Sequence, residues 1–194
     1  METIILASAS PRRKEILQTL SIPFKAIEAG IDENRYEQLP IGTRVKKLAE
    51  EKVKAVLAAS GSEKQDWIAG FDTLIGHKRK IIGKPADRSE AFNMIAGFSG
   101  RTHFVFTGVA IYSPITGKTT SRFCKSKVSF KKMTRTEIDF YIETGEWEGV
   151  AGAYRIQGKG ALFIDSIKGS YSNIVGLPIS LFYGMLLDAN YSFY

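Results

Sequence analysis

The chain opens on a short apolar run, residues 3–7, that passes into Ser8-Ala9-Ser10-Pro11-Arg12-Arg13. This pattern predicts a strand running into a helix, with Ser10 as N-cap, Pro11 as the first helical residue and Ile16, Leu17 and Leu20 as the buried face. Over residues 43–60 the apolar positions recur at helical spacing. Placed at about 100° per residue, Val45, Leu48, Ala49 and Val56 share one stripe. Lys52 falls in the middle of that stripe, while Lys46, Lys47, Glu50, Glu51 and Lys54 fall outside it. A lysine on an inward face requires an anionic partner or a route to water.

Residues 67–75 read as a strand with one carboxylate inside it, Asp72. After a basic turn, His77-Lys78-Arg79-Lys80, the extended segment Ile81-Ile82-Gly83-Lys84-Pro85 follows. Asp87 with Glu90 resembles a capping box, Ala91, Met94, Ile95 and Phe98 form the apolar face of the helix it opens, and Gly100 ends it. Residues 103–112 and 123–130 predict strands. Thr134 and Glu137 open a short helix that Gly145 closes, residues 160–168 predict a further strand, and a last helix starts near Pro178. Helices alternate with strands in the first half and strands pair in the middle. The fold class expected is α/β, a mixed twisted sheet flanked by helices, with a cleft beyond the strand ends.

Composition narrows the setting. The 194 residues, 44% hydrophobic and 24% charged, suit one domain spanning 1–194 or a two-lobed unit. Cys124 is the sole cysteine, so an internal disulfide and a His/Cys zinc cage are both excluded, which suits a reducing, cytoplasmic compartment. Residues 1–10 lack the basic start of a signal peptide. The apolar stretch 174–187 is interrupted by Gly176, Pro178, Ser180 and Gly184 and predicts a buried helix, not a membrane span. The net charge of +7 fits a polyanionic partner or a solvated basic surface. The basic residues are scattered, without the aromatic interleaving of single-strand binders, so no stable nucleic-acid partner is expected.

Several residues are candidates for chemistry. A helix N-terminus at Ser8 to Arg13 either binds phosphate, with Ser8, Ser10, Arg12 and Arg13 as contacts, or is a capped helix with solvated arginines. Asp72 amid Ile68, Phe71, Leu74 and Ile75 is costly to bury unless paired or metal-bound; the other reading puts it at a strand end in water. Glu33, in the polar loop Gly30-Ile31-Asp32-Glu33-Asn34, is a surface acid alone and an oxygen site for Mg²⁺ or Mn²⁺ if it meets Asp72. Lys52 and Lys84 are either phosphate clamps or structural. Gln157, flanked by Gly158 and Gly160, either presents its amide to a base edge or sits in a plain turn. The segment lacks the P-loop pattern, and His77 and His103 have neither metal spacing nor triad order.

Together these segments resemble the Maf family, the septum-formation-inhibitor-like nucleoside triphosphate pyrophosphatases. The likeness runs from Ile4 to about Leu187 through separated motifs: Leu6-Ala7-Ser8-Ala9-Ser10-Pro11-Arg12-Arg13, Asp32-Glu33, Glu51-Lys52, Asp72-Thr73, Gly83-Lys84-Pro85, Phe98-Ser99-Gly100 with His103, Gly145-Glu146, Ala151-Gly152-Ala153-Tyr154 with Ile156-Gln157-Gly158, and Val175-Gly176-Leu177-Pro178. The resemblance implies a fold related to the inosine-triphosphate pyrophosphatases, two lobes around a cleft, a homodimer, and cleavage between the α and β phosphates with a divalent cation. By position Asp72 matches the proton acceptor. Ser8, Arg13, Glu33, Lys52 and Lys84 match the residues that hold metal and triphosphate, with Glu33 and Asp72 as the metal carboxylates. Arg12, Thr73 and Gln157 match the specificity positions of the branch acting on dTTP and UTP; the branch acting on 7-methyl-GTP differs at all three, with Trp for the arginine. Phe71 and Arg155 depart from the family pattern, where a small residue and a glycine are usual. The expected activity is hydrolysis of dTTP and UTP to monophosphate and pyrophosphate. The alternatives are a non-catalytic nucleotide-binding regulator of cell division and a pyrophosphatase for 7-methyl-GTP or other modified nucleotides.

Overall fold

The structure, a computed structural model, describes residues 1–59, 66–78 and 80–194. Ser60, the expected end of the second helix, and Arg79 of the basic turn lie outside the described residues. In chain order the elements are β1 Ile4–Ala7, α1 Pro11–Thr19, β2 Phe24–Ala26, α2 Ile41–Ala59, β3 Trp67–His77, β4 Lys80–Ile82, α3 Arg88–Phe98, β5 Thr102–Ser113, β6 Lys118–Phe130, α4 Arg135–Glu143, β7 Ile164–Lys168, α5 Tyr171–Val175 and α6 Ile179–Asp188. The seven strands form one mixed sheet in the order β2-β1-β3-β5-β6-β7, with β4 on β3. β1 runs parallel to β2 and β3, whereas β4 is antiparallel to β3 and β7 to β6. The α/β class with a mixed sheet and flanking helices is therefore as the sequence predicts. Among the described residues no helix is long and apolar enough to cross a membrane.

The chain divides into two compact units. The first comprises Met1–Thr73, Thr107–Cys124 and Gly176–Tyr194; the second comprises Leu74–Phe106 and Lys125–Val175. In the first unit β1 is buried on both faces, as strands of a covered parallel sheet are. Ile4 and Leu6 pack with Leu17, Phe71, Ile111, Phe182 and Leu186, while Ile5 and Ala7 pack with Ala49, Val53, Val56 and Ala110. Two glycines let α2 lie directly on the sheet. A Cβ on Gly70 would stand 2.5 Å from the Ala49 carbonyl oxygen, and one on Gly108 would stand 2.1 Å from that of Val45. This close approach brings Lys52, one turn beyond Ala49, down to Asp72, two residues beyond Gly70.

Several elements differ from expectation. α2 starts at Ile41, two residues earlier than expected, and its inward stripe also holds Arg44. Ser10 occupies the N-cap of α1 but makes no side-chain cap, and Leu20 is exposed because the helix has already ended there. The apolar stretch 174–187 is not one helix: it is broken at Gly176, whose φ of 112° suits only glycine. α5 before that break is five residues long and was too short to register as a period.

In the second unit the cap signals are realised. Glu90 N donates to Asp87 Oδ1 at 2.8 Å, and Thr134 and Glu137 form a reciprocal capping box. The segment expected as a strand over 160–168 is divided: Lys159–Phe163 is a 3₁₀ turn and only Ile164–Lys168 is strand. β6 begins in the first unit at Lys118, five residues before the expected start, because its polar opening, Lys118-Thr119-Thr120-Ser121-Arg122, shows no alternation of hydrophobicity.

His103 is fully buried in this unit, with Nε2 2.8 Å from the Tyr154 hydroxyl and its ring stacked on Phe98 at 4.2 Å. Burial, with a smaller push from His77, holds its pKa down at about 3, so the imidazole is neutral in the folded chain. The unfolded chain binds a proton there below about pH 6.5 and the folded chain does not. Stability is therefore complete above pH 6.5 and falls on acidification, by up to about 1.4 kcal/mol per pH unit from this group. Thermal melts between pH 7 and 5 should show this slope in the wild type and a much shallower one in His103→Gln. Equal slopes would remove His103 as the cause.

Candidate active site

Every group of this site belongs to the first unit. α2 delivers Lys52, whose side chain is 10% exposed, and β3 delivers Asp72, whose side chain is 6% exposed. Lys52 Nζ donates to Asp72 Oδ1 at 2.8 Å, to Glu33 Oε1 at 2.7 Å and to the Phe71 carbonyl at 3.4 Å. The inward lysine of the sequence thus has its anionic partners, and one ammonium bridges both expected metal carboxylates. Asp72 Oδ2 is buried and has no hydrogen-bond partner among the described residues. Glu33, 59% exposed, lies at the solvent end of the cluster.

The loop that carries Glu33 is held by a residue outside the sequence candidates. Arg44 is buried on α2 and donates from Nη2 to the Glu33 carbonyl at 3.0 Å, with Glu37 3.7 Å away. The signal was available: Arg44, Leu48, Lys52 and Val56 recur every four residues and so share one face. A second tie joins Arg35 to Glu51 at 3.5 Å. It is an exposed pair and contributes little.

Arg13 is the other buried cation. Its Nε donates to the Gly176 carbonyl at 2.8 Å, Nη1 to Ser8 Oγ at 2.8 Å and Nη2 to Thr73 Oγ1 at 3.1 Å. Three of its five N–H donors thus fix the fork, and its plane lies over the Phe71 ring at 5.7 Å. Phe71, fully buried, is a floor for this guanidinium and packs edge-on to Phe182. Burial lowers the Arg13 pKa to about 10; the negative charge of Asp72 opposes that shift, Arg12 adds to it and Glu33 opposes it. Arg13 remains protonated at neutral pH, and it shares one electrostatic neighbourhood with Arg12, Glu33 and Asp72.

The hydroxyls complete the arrangement. Ser8 Oγ accepts from Arg13 and, at 3.3 Å, from the Ser10 amide, which leaves its own proton to donate. Thr73 Oγ1 lies 2.9 Å from Thr107 Oγ1 on β5. The first turn of α1 carries no side-chain cap and no acidic residue, so the helix dipole there favours an anion. Arg12 sits half-buried in that turn.

Ser8, Arg13 and Thr73 are thus joined by hydrogen bonds, as are Glu33, Lys52 and Asp72. Lys84 and Gln157 belong to the second unit. Lys84 is exposed in the extended segment after β4, and Gln157 is exposed in a turn at 156–158. Among the described residues no cluster of three or more His, Cys, Asp or Glu could cage a metal. A cation here would take two carboxylates and complete its shell from phosphate and water, as Mg²⁺ commonly does. The Glu33 and Asp72 carboxylates fit that donor set.

A family model described as Maf-like protein matches residues 3–189. The dTTP/UTP pyrophosphatase of Desulforamulus reducens is 42% identical over 180 residues, 93% of each chain. The dTTP/UTP pyrophosphatase of Moorella thermoacetica is 42% identical over 92% of this chain and 91% of its own. That of Clostridium botulinum strain Kyoto is 38% identical over 97% of both. Among solved structures, the Staphylococcus aureus Ham1 protein aligns at 10% identity with a TM-score of 0.43, over 66% of this chain and 72% of that one.

Proposed function

The chain belongs to the Maf family, and from that premise we propose that it is a nucleoside triphosphate pyrophosphatase acting on dTTP and UTP. The observation that carries the proposal is the Lys52 bridge, which gathers Asp72 and Glu33 beside a buried arginine. A pure binder of triphosphates gains nothing from carboxylates in that place, since they repel the ligand. A hydrolase needs one as a base.

In the mechanism proposed, the N-terminal end of α1, Arg13 and the Ser8 hydroxyl hold phosphate oxygens; Lys84 is proposed on its own account as a further phosphate contact. Lys52 fixes Asp72 through Oδ1, so Oδ2 is the oxygen placed to take a proton from the attacking water. Water adds to the α phosphorus in line with the bridging oxygen, that bond breaks, and pyrophosphate leaves. Glu33 and Asp72 would hold a divalent cation, Mg²⁺ or Mn²⁺, which when bound neutralises charge on the phosphate oxygens. Arg12, Thr73 and Gln157 are proposed to set nucleotide preference; a glutamine amide can pair with both the N–H and a carbonyl of a uracil or thymine edge.

The test is pyrophosphate release from dTTP, UTP, CTP, GTP, 7-methyl-GTP and ITP with Mg²⁺ or Mn²⁺. Turnover should be fastest on dTTP and UTP and should stop on chelation. Nucleotide binding without release would point instead to a non-catalytic regulator, and a preference for 7-methyl-GTP would move the chain to the other branch. Three further readings belong to the proposal: 1–194 as one functional domain, supported by a family match that spans both units; a homodimer, which light scattering decides; and a cytoplasmic setting, supported by the sole cysteine.

A further inference from the structure

Gln157 stands on a short exposed turn, where a side chain would ordinarily be mobile. The second unit holds this turn on both sides of the glutamine. Before it, the Arg155 amide donates to the Tyr141 hydroxyl at 3.0 Å, and the Arg155 side chain donates from Nε to the Glu146 carbonyl at 2.7 Å and from Nη2 to the Glu148 carbonyl at 3.2 Å. After it, the Lys159 amide donates to Glu146 Oε1 at 3.1 Å. A Cβ on Gly158 would stand 2.5 Å from the Glu146 carboxylate, and one on Gly160 would stand 2.5 Å from the Arg155 carbonyl. Glu146 thus meets the turn with its backbone on one side of Gln157 and its carboxylate on the other. Upstream, Tyr154 is pinned by His103 at 2.8 Å.

A guanidinium is suited to this task because its planar fork reaches two carbonyls from one rigid group. Residues 146–148 and 155–160 thereby become one cross-linked element, and the ordering cost of the glutamine backbone is met in folding rather than on ligand binding. We propose that Arg155, working with Glu146, is a positioning residue that preorganises Gln157 for reading a pyrimidine edge. This rests on the base-reading role of Gln157 proposed above. Arg155 does not touch the nucleotide; it acts through the turn.

The experiment compares Gln157→Ala, Arg155→Ala, Arg155→Lys and the Arg155→Ala/Gln157→Ala double variant in steady-state hydrolysis of UTP, dTTP, CTP and GTP, with thermal midpoints measured alongside. Arg155→Ala should raise KM for UTP and dTTP about tenfold, change kcat less than KM, and narrow the preference over CTP and GTP. Arg155→Lys, which keeps one donor near the carbonyls, should recover part of that preference, and it serves as the test variant if the alanine form does not fold. The double variant should be no less selective than Gln157→Ala alone, because the two changes remove one function. Normal selectivity in Arg155→Ala beside lost selectivity in Gln157→Ala overturns the positioning role and leaves the base-reading role standing. Unchanged selectivity in Gln157→Ala overturns both. Equal losses on all four nucleotides that add in the double variant mark Arg155 as structural only, and also overturn the proposal.

Discussion

Asp72→Asn should release pyrophosphate about 10²–10⁴-fold more slowly than the wild type, the usual loss on removing a positioned general base. The asparagine oxygen still accepts from Lys52, so the bond now at 2.8 Å survives. The change falls on the other atom: an NH₂ group replaces Oδ2, the oxygen that has no partner among the described residues, and it cannot take a proton. Lys52 keeps its bond to Glu33 at 2.7 Å, so the fold should persist with a near-normal melt. Single-turnover pyrophosphate release on the purified variant measures this directly. Turnover within a few-fold of the wild type would exclude Asp72 as the base.

Lys52→Met should be the variant most costly to stability. It keeps the length and apolar stem of the side chain and removes the one ammonium shared by two carboxylates. Glu33, largely exposed, can turn to solvent, and its loss costs little. Asp72, 6% exposed, cannot, and a buried charge stripped of its partner typically costs about 3–5 kcal/mol. Denaturant melts should show that loss together with a loss of turnover. The double variant Lys52→Met/Asp72→Asn should regain much of the stability and none of the activity, because it leaves no charge stranded. A Lys52→Met protein as stable as the wild type would show that water reaches Asp72 by another route.

The parts of the site legible in the sequence were those where a charge contradicted its local pattern. Lys52 in an apolar helical stripe and Asp72 in an apolar strand each announce an unmet electrostatic need, and each turns out to meet the other. Arg44 carried the same signal in the same stripe but lay at the helix start, where a charge looks ordinary. Glu33 offered no local sign; its part depends on Arg44 holding its backbone at 3.0 Å. Thr107 and the Gly176 carbonyl were likewise invisible, because a hydroxyl on a strand and a backbone oxygen have no distinctive spacing. The helices with Thr134 and Asp87 at their starts were foreseen from cap chemistry, whereas Ser10 has the right residue type in a geometry (ψ of 118°) that leaves the cap unmade. The 3₁₀ turn at Lys159–Phe163 escaped notice because its apolar run suits a strand. What decides it is the approach of Gly160 to the Arg155 carbonyl, a contact across the turn that no propensity encodes.

The bond from Arg13 to Gly176 spans 163 positions, so the guanidinium is fixed only when both ends of that span have been made. A nascent polypeptide emerging from the ribosome exposes the helix of Arg13 well before the oxygen that clamps this guanidinium has been translated. The half-made product therefore carries an arginine whose mooring has not yet been made, and the fork takes its final pose only once residue 176 has been added.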